Sequence, residues 1–359
     1  MTIAALILGL LALFVAILVR SPGTVAPIRG ETGAPLAGSL SEKIRVEING
    51  VNQGMFLKSR NVSNPVLLFL HGGPGMPEYF LTERYPTGLE DLFTVCWWDR
   101  RGAGLSYSAD IPAASMTLEQ SIADTLAVTD YLRRRFGVDK IYLMGHSGGS
   151  FVGIQAAARA PELFHAYLGM AQMTYQHESE VLAYEYILRR YREEGKAGAA
   201  RKLERSPVTL NASLPSAWMA ARDRLMHSLG VGTTRDMKSV VSGVFLRSWF
   251  FPEYTLREKA DLWRGKAFSH SRMWDEMVAT DLREMVARLE IPVYFFHGAY
   301  DYTVSYPLAK DFLDRLSAPL KAFYTFTASA HSPLFEEPEK LRRILSEDVL
   351  TGTAGNADR

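Results

Sequence analysis

Ile141-Tyr142-Leu143-Met144-Gly145-His146-Ser147-Gly148-Gly149-Ser150 passes from an apolar run into a knot of small residues, and a helical pattern then continues through Ala158. A serine at a strand-to-helix turn sits on strained backbone, so small residues must flank it, and the turn lifts its hydroxyl above the edge of a sheet. The N-terminus of the following helix favours negative charge developing nearby. Ser147 is therefore a candidate nucleophile, and the amide of Gly148 a candidate donor to an oxyanion.

A serine hydroxyl is a weak nucleophile alone and requires a base, which in turn requires an orienting carboxylate. Downstream, Pro292 to His297 and Leu320 to Phe326 read as strands, and Asp301 and His331 follow them in loops. The resulting order is Ser, Asp, His, with each group at the carboxyl end of its strand, where parallel-sheet proteins hold ligands. His297 lies on a strand and His71 precedes Ser147, so neither fits the base position, while Asp311 and Asp314 fall within a helix. Upstream, His71-Gly72-Gly73-Pro74-Gly75 follows the run Val66 to Leu70 and offers a second oxyanion amide, at Gly73 with Gly72 as the fallback.

Further outward, Pro65 to Leu70, Phe93 to Trp98 and Lys140 to Met144 are solid apolar runs, the pattern of parallel strands covered on both faces. Lys43 to Asn49 alternates, and Asn49-Gly50 turns it towards Met55 to Lys58, as in a β-hairpin. Thr117 to Phe136 has helical spacing, with Thr117 as N-cap and Gln120 at the capping-box position. From about Tyr175 to Ala287 the strand pattern stops and helical character dominates, most clearly over Glu180 to Glu194 and Asp275 to Leu289. The expected organisation is an α/β core over 41–174 and 289–350, an inserted helical cap over 175–288, and a flexible tail over 351–359.

The chain has 359 residues and a formal charge of +1, which gives no field to attract a polyanion, so nucleic acid is not an expected partner. The single cysteine, Cys96, excludes an intrachain disulfide and falls in an apolar run. Ile3 to Val19 is apolar without a charge, which predicts a transmembrane anchor over 1–20 and a single-pass membrane protein, with a linker over 21–40 rich in Pro, Gly and Ala. A secretory signal peptide is the rival reading, but it would want a basic n-region, and Pro27 follows the only small-residue cleavage candidate.

These motifs resemble the prolyl aminopeptidase (proline iminopeptidase) family of α/β hydrolases. His71 to Gly75 is similar to that family's oxyanion loop, and Asp99-Arg100-Arg101-Gly102-Ala103-Gly104-Leu105-Ser106 to its Asp-Gln-Arg-Gly-x-Gly-x-Ser segment. Tyr300-Asp301 and Ala330-His331-Ser332-Pro333 match the acid and base segments. The resemblance implies an α/β-hydrolase fold, a Ser147–Asp301–His331 triad and no metal or organic cofactor. It also implies acidic cap residues that hold a peptide's free amine; Glu178, Glu180 and Glu185 cluster at the cap entrance, with Glu178 and Glu185 the candidates. Ordinary helix surface charge is the favoured reading of these glutamates. The elbow departs from the family, which usually has Trp after the nucleophile and commonly Gly before it, where this chain has Gly148 and His146.

The expected function is hydrolysis through an acyl-enzyme, acting on a short peptide or another small molecule, and the resemblance implies a prolyl-aminopeptidase-like enzyme that cleaves an N-terminal residue from small peptides. A carboxylesterase or lipase would use the same three residues and differ only in what the cap admits. A catalytically dead binding module is the non-enzyme alternative. Trp218, Trp249, Phe250, Phe251 and Trp274 could line an apolar pocket or pack the cap on the body.

Overall fold

The computed structural model describes residues 3–358. Among them, β1 (Leu40–Ile48), β2 (Val51–Ser59), β3 (Val66–Leu70), β4 (Thr94–Trp98), β5 (Ile141–His146), β6 (Phe164–Met170), β7 (Val293–Gly298) and β8 (Lys321–Phe326) form one sheet. Its order is β1-β2-β4-β3-β5-β6-β7-β8. β1 and β2 are antiparallel, joined by the turn at Asn49 and Gly50, both at positive φ; β2 also pairs antiparallel with β4, and the remaining pairs, from β4–β3 to β7–β8, are parallel.

The apolar runs are continuous because successive side chains enter two different cores. Leu68, Leu70, Leu143 and Phe295 point to the face covered by the helices Leu118–Phe136, Gly148–Arg159 and Tyr306–Arg315. Leu67, Phe69, Met144 and Phe296 point to the opposite face, against Leu89, Leu341 and Ile344. A period of two with both faces dry leaves no place for polar residues. Thr117 caps its helix by accepting the Gln120 N–H, but the Gln120 side chain turns to Asp124 and leaves the capping box half made.

Between β6 and β7 the regular structure is helical, from Gln176–Glu193 to Leu282–Met285. This stretch carries its own apolar cluster, with Tyr184, Ile187, Trp218 and Met226 among its members. The helix expected over Asp275 to Leu289 differs. Thr255 and Glu258 close a full capping box and start a long helix, Leu256–Ala279; Asp281 then caps a separate short turn.

The N-terminal helix spans Ile3–Val19, seventeen residues, and no helix among the described residues is long and apolar enough to cross a membrane. At 1.5 Å per residue it reaches about 26 Å against about 30 Å of hydrocarbon. The transmembrane anchor expected over 1–20 is corrected to this shorter apolar rod. The segment 21–40 lies against the body: Gly23 N–H donates to the Pro252 carbonyl and Ala26 N–H to Glu253. Residues 351–358, expected to be flexible, are also tied down, with Asp358 bonded to Phe323 and Thr325 of β8.

Candidate active site

Ser147 follows β5 with φ 53° and ψ −124°, left-handed backbone that a side-chain-bearing residue adopts only under constraint. The constraint is the packing around it. Its N–H donates to the Met170 carbonyl (3.0 Å), and a Cβ on Gly149 would run into the Leu70 carbonyl oxygen. A Cβ on Gly148 would run into the Gly73 carbonyl, so the loop after β3 lies directly on the elbow. As the first residue of the Gly148–Arg159 helix, Gly148 has an N–H with no intrahelical acceptor, free for an oxyanion.

The loop after β3 is held from beneath. Arg100 donates through its backbone N–H to His71 Nε2 (3.1 Å) and through its guanidinium to the His71 carbonyl (2.9 Å). His71 Nδ1–H donates to the Gly72 carbonyl, so the ring has one donor and one acceptor contact and is neutral; burial, then Arg100, hold its pKa well below the usual histidine value. The Gly72 N–H donates to Glu78 Oε1 (3.0 Å). That commitment removes Gly72 as the fallback donor and leaves Gly73, at φ 99°.

Asp301, buried beyond β7, uses both carboxylate oxygens. Oδ1 accepts the N–H groups of Thr303 and Val304 (both 2.9 Å), and Oδ2 accepts His331 Nδ1–H (2.9 Å) with His297 Nε2 at 3.3 Å. Burial pushes the Asp301 carboxyl up, but His331 and His297 outweigh it and hold it well below the usual range. For His331, burial lowers the pKa, Asp301 opposes this and His146 reinforces it; the net shift is downward, towards a neutral ring with Nε2 available as base. Its loop is fixed by Glu336, which accepts the N–H groups of Ala330 and Ser332.

Ser147, His331, Gly72 and Gly73 line one cavity of about 550 Å³, roofed by the helical stretch between β6 and β7. Of the five aromatics singled out in the sequence only Trp274 lines it, joined by Trp263; Trp218, Trp249, Phe250 and Phe251 do not. Glu178 and Glu185 do not line it either. Glu178 accepts from Arg283 (2.8 Å) and Glu185 is exposed. Glu180 is buried and shared among Gln176, Trp218 and Arg222. Gln176, at the cavity wall, donates through Nε2 to Glu180 and to the Thr303 carbonyl, which leaves its buried Oε1 without a partner. The amide cannot be flipped, because its oxygen would then face two acceptors. Among the described residues no cluster of three His, Cys, Asp or Glu side chains could hold a metal ion.

Glu78, Arg100, Gln176 and His297 were not picked out from the sequence. Glu78 and Arg100 reach the site through the path of a loop and Gln176 through the helical roof, while His297, set aside as a base because it lies on a strand, reaches Asp301 from the end of β7; only Arg100 stood in a recognised segment, at the position where the family has Gln.

Residues 65–338 match the family model described as the alpha/beta hydrolase fold, and the chain belongs to that family. It is a hydrolase. It is 33% identical over 312 residues to the probable aminopeptidase YbaC of Bacillus subtilis (strain 168), covering 87% of this chain and 97% of that protein. The proline iminopeptidase of Lactobacillus delbrueckii subsp. lactis is 23% identical over 300 residues, 79% of this chain and 90% of its own. Among solved structures, a proline iminopeptidase from Mycobacterium smegmatis shares the fold with a TM-score of 0.60 at 17% identity, over 85% of this chain and 97% of that one.

Proposed function

We propose that the protein is a serine hydrolase that forms an acyl-enzyme at Ser147 and releases the N-terminal residue of small peptides. The observation that carries this is the strained Ser147 opening into the same cavity as a buried His331 already bonded to Asp301. His331 Nε2 takes the hydroxyl proton as Oγ attacks the carbonyl carbon. The amides of Gly73 and Gly148 receive the oxyanion, and the proton passes from His331 to the departing amine. A water activated by the same ring then attacks the acyl-serine and frees Ser147. The aminopeptidase reading draws on the names of the two relatives and on Gln176 Oε1, an acceptor at the cavity wall for a substrate N–H.

One observation favours small esters instead. The two carboxylates that line the cavity are already paired, Glu78 with His146 and Asp223 with Arg222, which leaves no free anion for a substrate ammonium. Proline amide and short acyl ester chromogenic substrates, assayed side by side with Ser147→Ala as control, separate the two. Amide turnover lost in the variant supports the aminopeptidase; serine-dependent turnover of esters alone makes the protein an esterase. Turnover of neither would leave a binding module. We further propose that the Ile3–Val19 helix holds the enzyme on a lipid surface, because it is apolar on every side and unlike a helix made to pack by one face.

A further inference from the structure

His146, the residue before the nucleophile, is 3% exposed and has an acceptor at each ring nitrogen. Nδ1 lies 2.8 and 2.9 Å from the two carboxylate oxygens of Glu78, and Nε2 lies 2.9 Å from the backbone carbonyl of His331. A neutral imidazole has one N–H and one lone pair, so against an ionised Glu78 either tautomer would press a lone pair against an oxygen. Only the imidazolium donates at both positions. From its geometry we infer that His146 is a resident cation held by Glu78, and that this ion pair is a positioning device joining the elbow, the oxyanion loop and the base loop.

The three connections are explicit. His146 belongs to the elbow, and Glu78 Oε1 also accepts the Gly72 N–H. The His331 carbonyl receives the other ring nitrogen, and the two rings lie 4.8 Å apart at 40°. The pair thus sets where Gly73 stands relative to Ser147 and where His331 stands relative to both. The inference deepens the proposed mechanism and rests on it for its catalytic meaning, although the charge state of His146 stands independently. The charged and titratable groups facing His146 are Glu78 from the oxyanion loop, His331 and Asp301 from the base side, and Arg100 behind Glu78. Burial alone lowers the His146 pKa, but Glu78 and the His331 carbonyl overcome it and the net direction is upward. A fixed positive ring beside His331 favours its neutral, basic form, in keeping with the downward direction there.

The test is nitrogen-15 NMR of the histidine rings in the full chain, titrated from about pH 5 to pH 9, a range that brackets the ordinary histidine value. The expected result is two protonated ring nitrogens on His146 throughout the interval in which His331 titrates. A His146 ring with a single N–H at neutral pH would overturn the inference. In Glu78→Gln the side chain still reaches both partners but carries no charge, so His146 should lose one proton within the range; a ring that stays doubly protonated overturns the assignment to Glu78. In His146→Gln the His331 titration should move to higher pH. The hydrolysis readout is kcat/KM on whichever substrate Ser147 turns over, expected in His146→Gln to fall about tenfold at acidic pH and recover towards pH 8. A loss equal at all pH values would reduce His146 to a packing residue. Absence of any Ser147-dependent turnover would sink the proposed function while leaving the NMR result standing.

Discussion

The residues that do the proposed chemistry were legible because their chemistry restricts where they can stand. A serine needs a strained turn among glycines, and its partners need loops at strand ends, which left Ser147, Asp301 and His331 with few competitors. Their supports were not legible. His297 reaches Asp301 from the end of β7, four residues back, where it reads only as a buried strand residue, and Glu78 reaches His146 across 68 residues of sequence, a contact that follows from folded loop paths and no local pattern. Asp301 carries the sharpest prediction at this scale. Asp301→Asn keeps the shape but donates where His331 Nδ1–H must donate, so the ring is driven to the wrong tautomer; kcat should fall on the order of 10³- to 10⁴-fold with KM little changed. Stability should change with pH as well. The folded pKa of Asp301 is depressed, so its contribution is present above the unfolded carboxyl value near pH 4 and is lost as the pH falls through the folded value. Urea melts should therefore show a deficit for the variant at pH 7 that shrinks at pH 3; a deficit independent of pH would mean that Asp301 is not the stabilising anion.

Elements were read most securely where burial on both faces confined polar residues to a strand's ends, as in β3, β4 and β5. They were read least securely in the helical roof, where the start at Thr255 and Glu258 was missed and the last helix was placed too far along the chain. The departures from the prolyl aminopeptidase pattern at the elbow acquire a structural meaning here. Position 148 has no room for any side chain while the Gly73 carbonyl stays where it is, and position 146 holds the cation that ties in Glu78. A Trp after the nucleophile would demand a different path for the loop after β3. Gly148→Ala tests this, since one methyl group must displace either the elbow or the Gly73 segment. Its kcat should drop about 10²-fold or more, the scale of losing one oxyanion donor, and the urea midpoint should fall as well, because the methyl meets backbone that cannot simply rotate away. Unchanged turnover would show that the loop yields freely and that its position does not matter to the reaction.

For the whole molecule, the two ends of the chain are the places where composition misled. The Pro- and Gly-rich segment 21–40 reads as a free linker, yet Glu253, Lys58 and Pro252 hold it to the body; the polar tail covers the exposed edge at β8 through Asp358. Composition reports what a segment can do in isolation, and here specific buried partners decide otherwise. The N-terminal helix is the converse case, because most of its large apolar side chains, among the described residues, stay exposed. Leu10 and Phe14 are 58% and 51% exposed, and apolar residues continue round the whole circumference. Pairing with a second copy would cover one stripe of it and leave the others in water, whereas lipid covers all of them. Its junction with the body is polar and firm: Lys259 donates to the Arg20 carbonyl and Ser21 hydroxyl, and Arg20 pairs with Glu83. The rod is thus carried on a fixed joint, and immersing it would bring the body close to the lipid headgroups. The full chain should float with phosphatidylcholine vesicles on a density gradient, and the double variant Leu10→Asp, Phe14→Asp should remain at the bottom with its Ser147-dependent turnover of soluble substrate unchanged. A native chain that stays down, or a variant that floats equally well, would remove the lipid surface from the account; a native chain that sediments as a vesicle-independent oligomer would give the helix to a second copy instead.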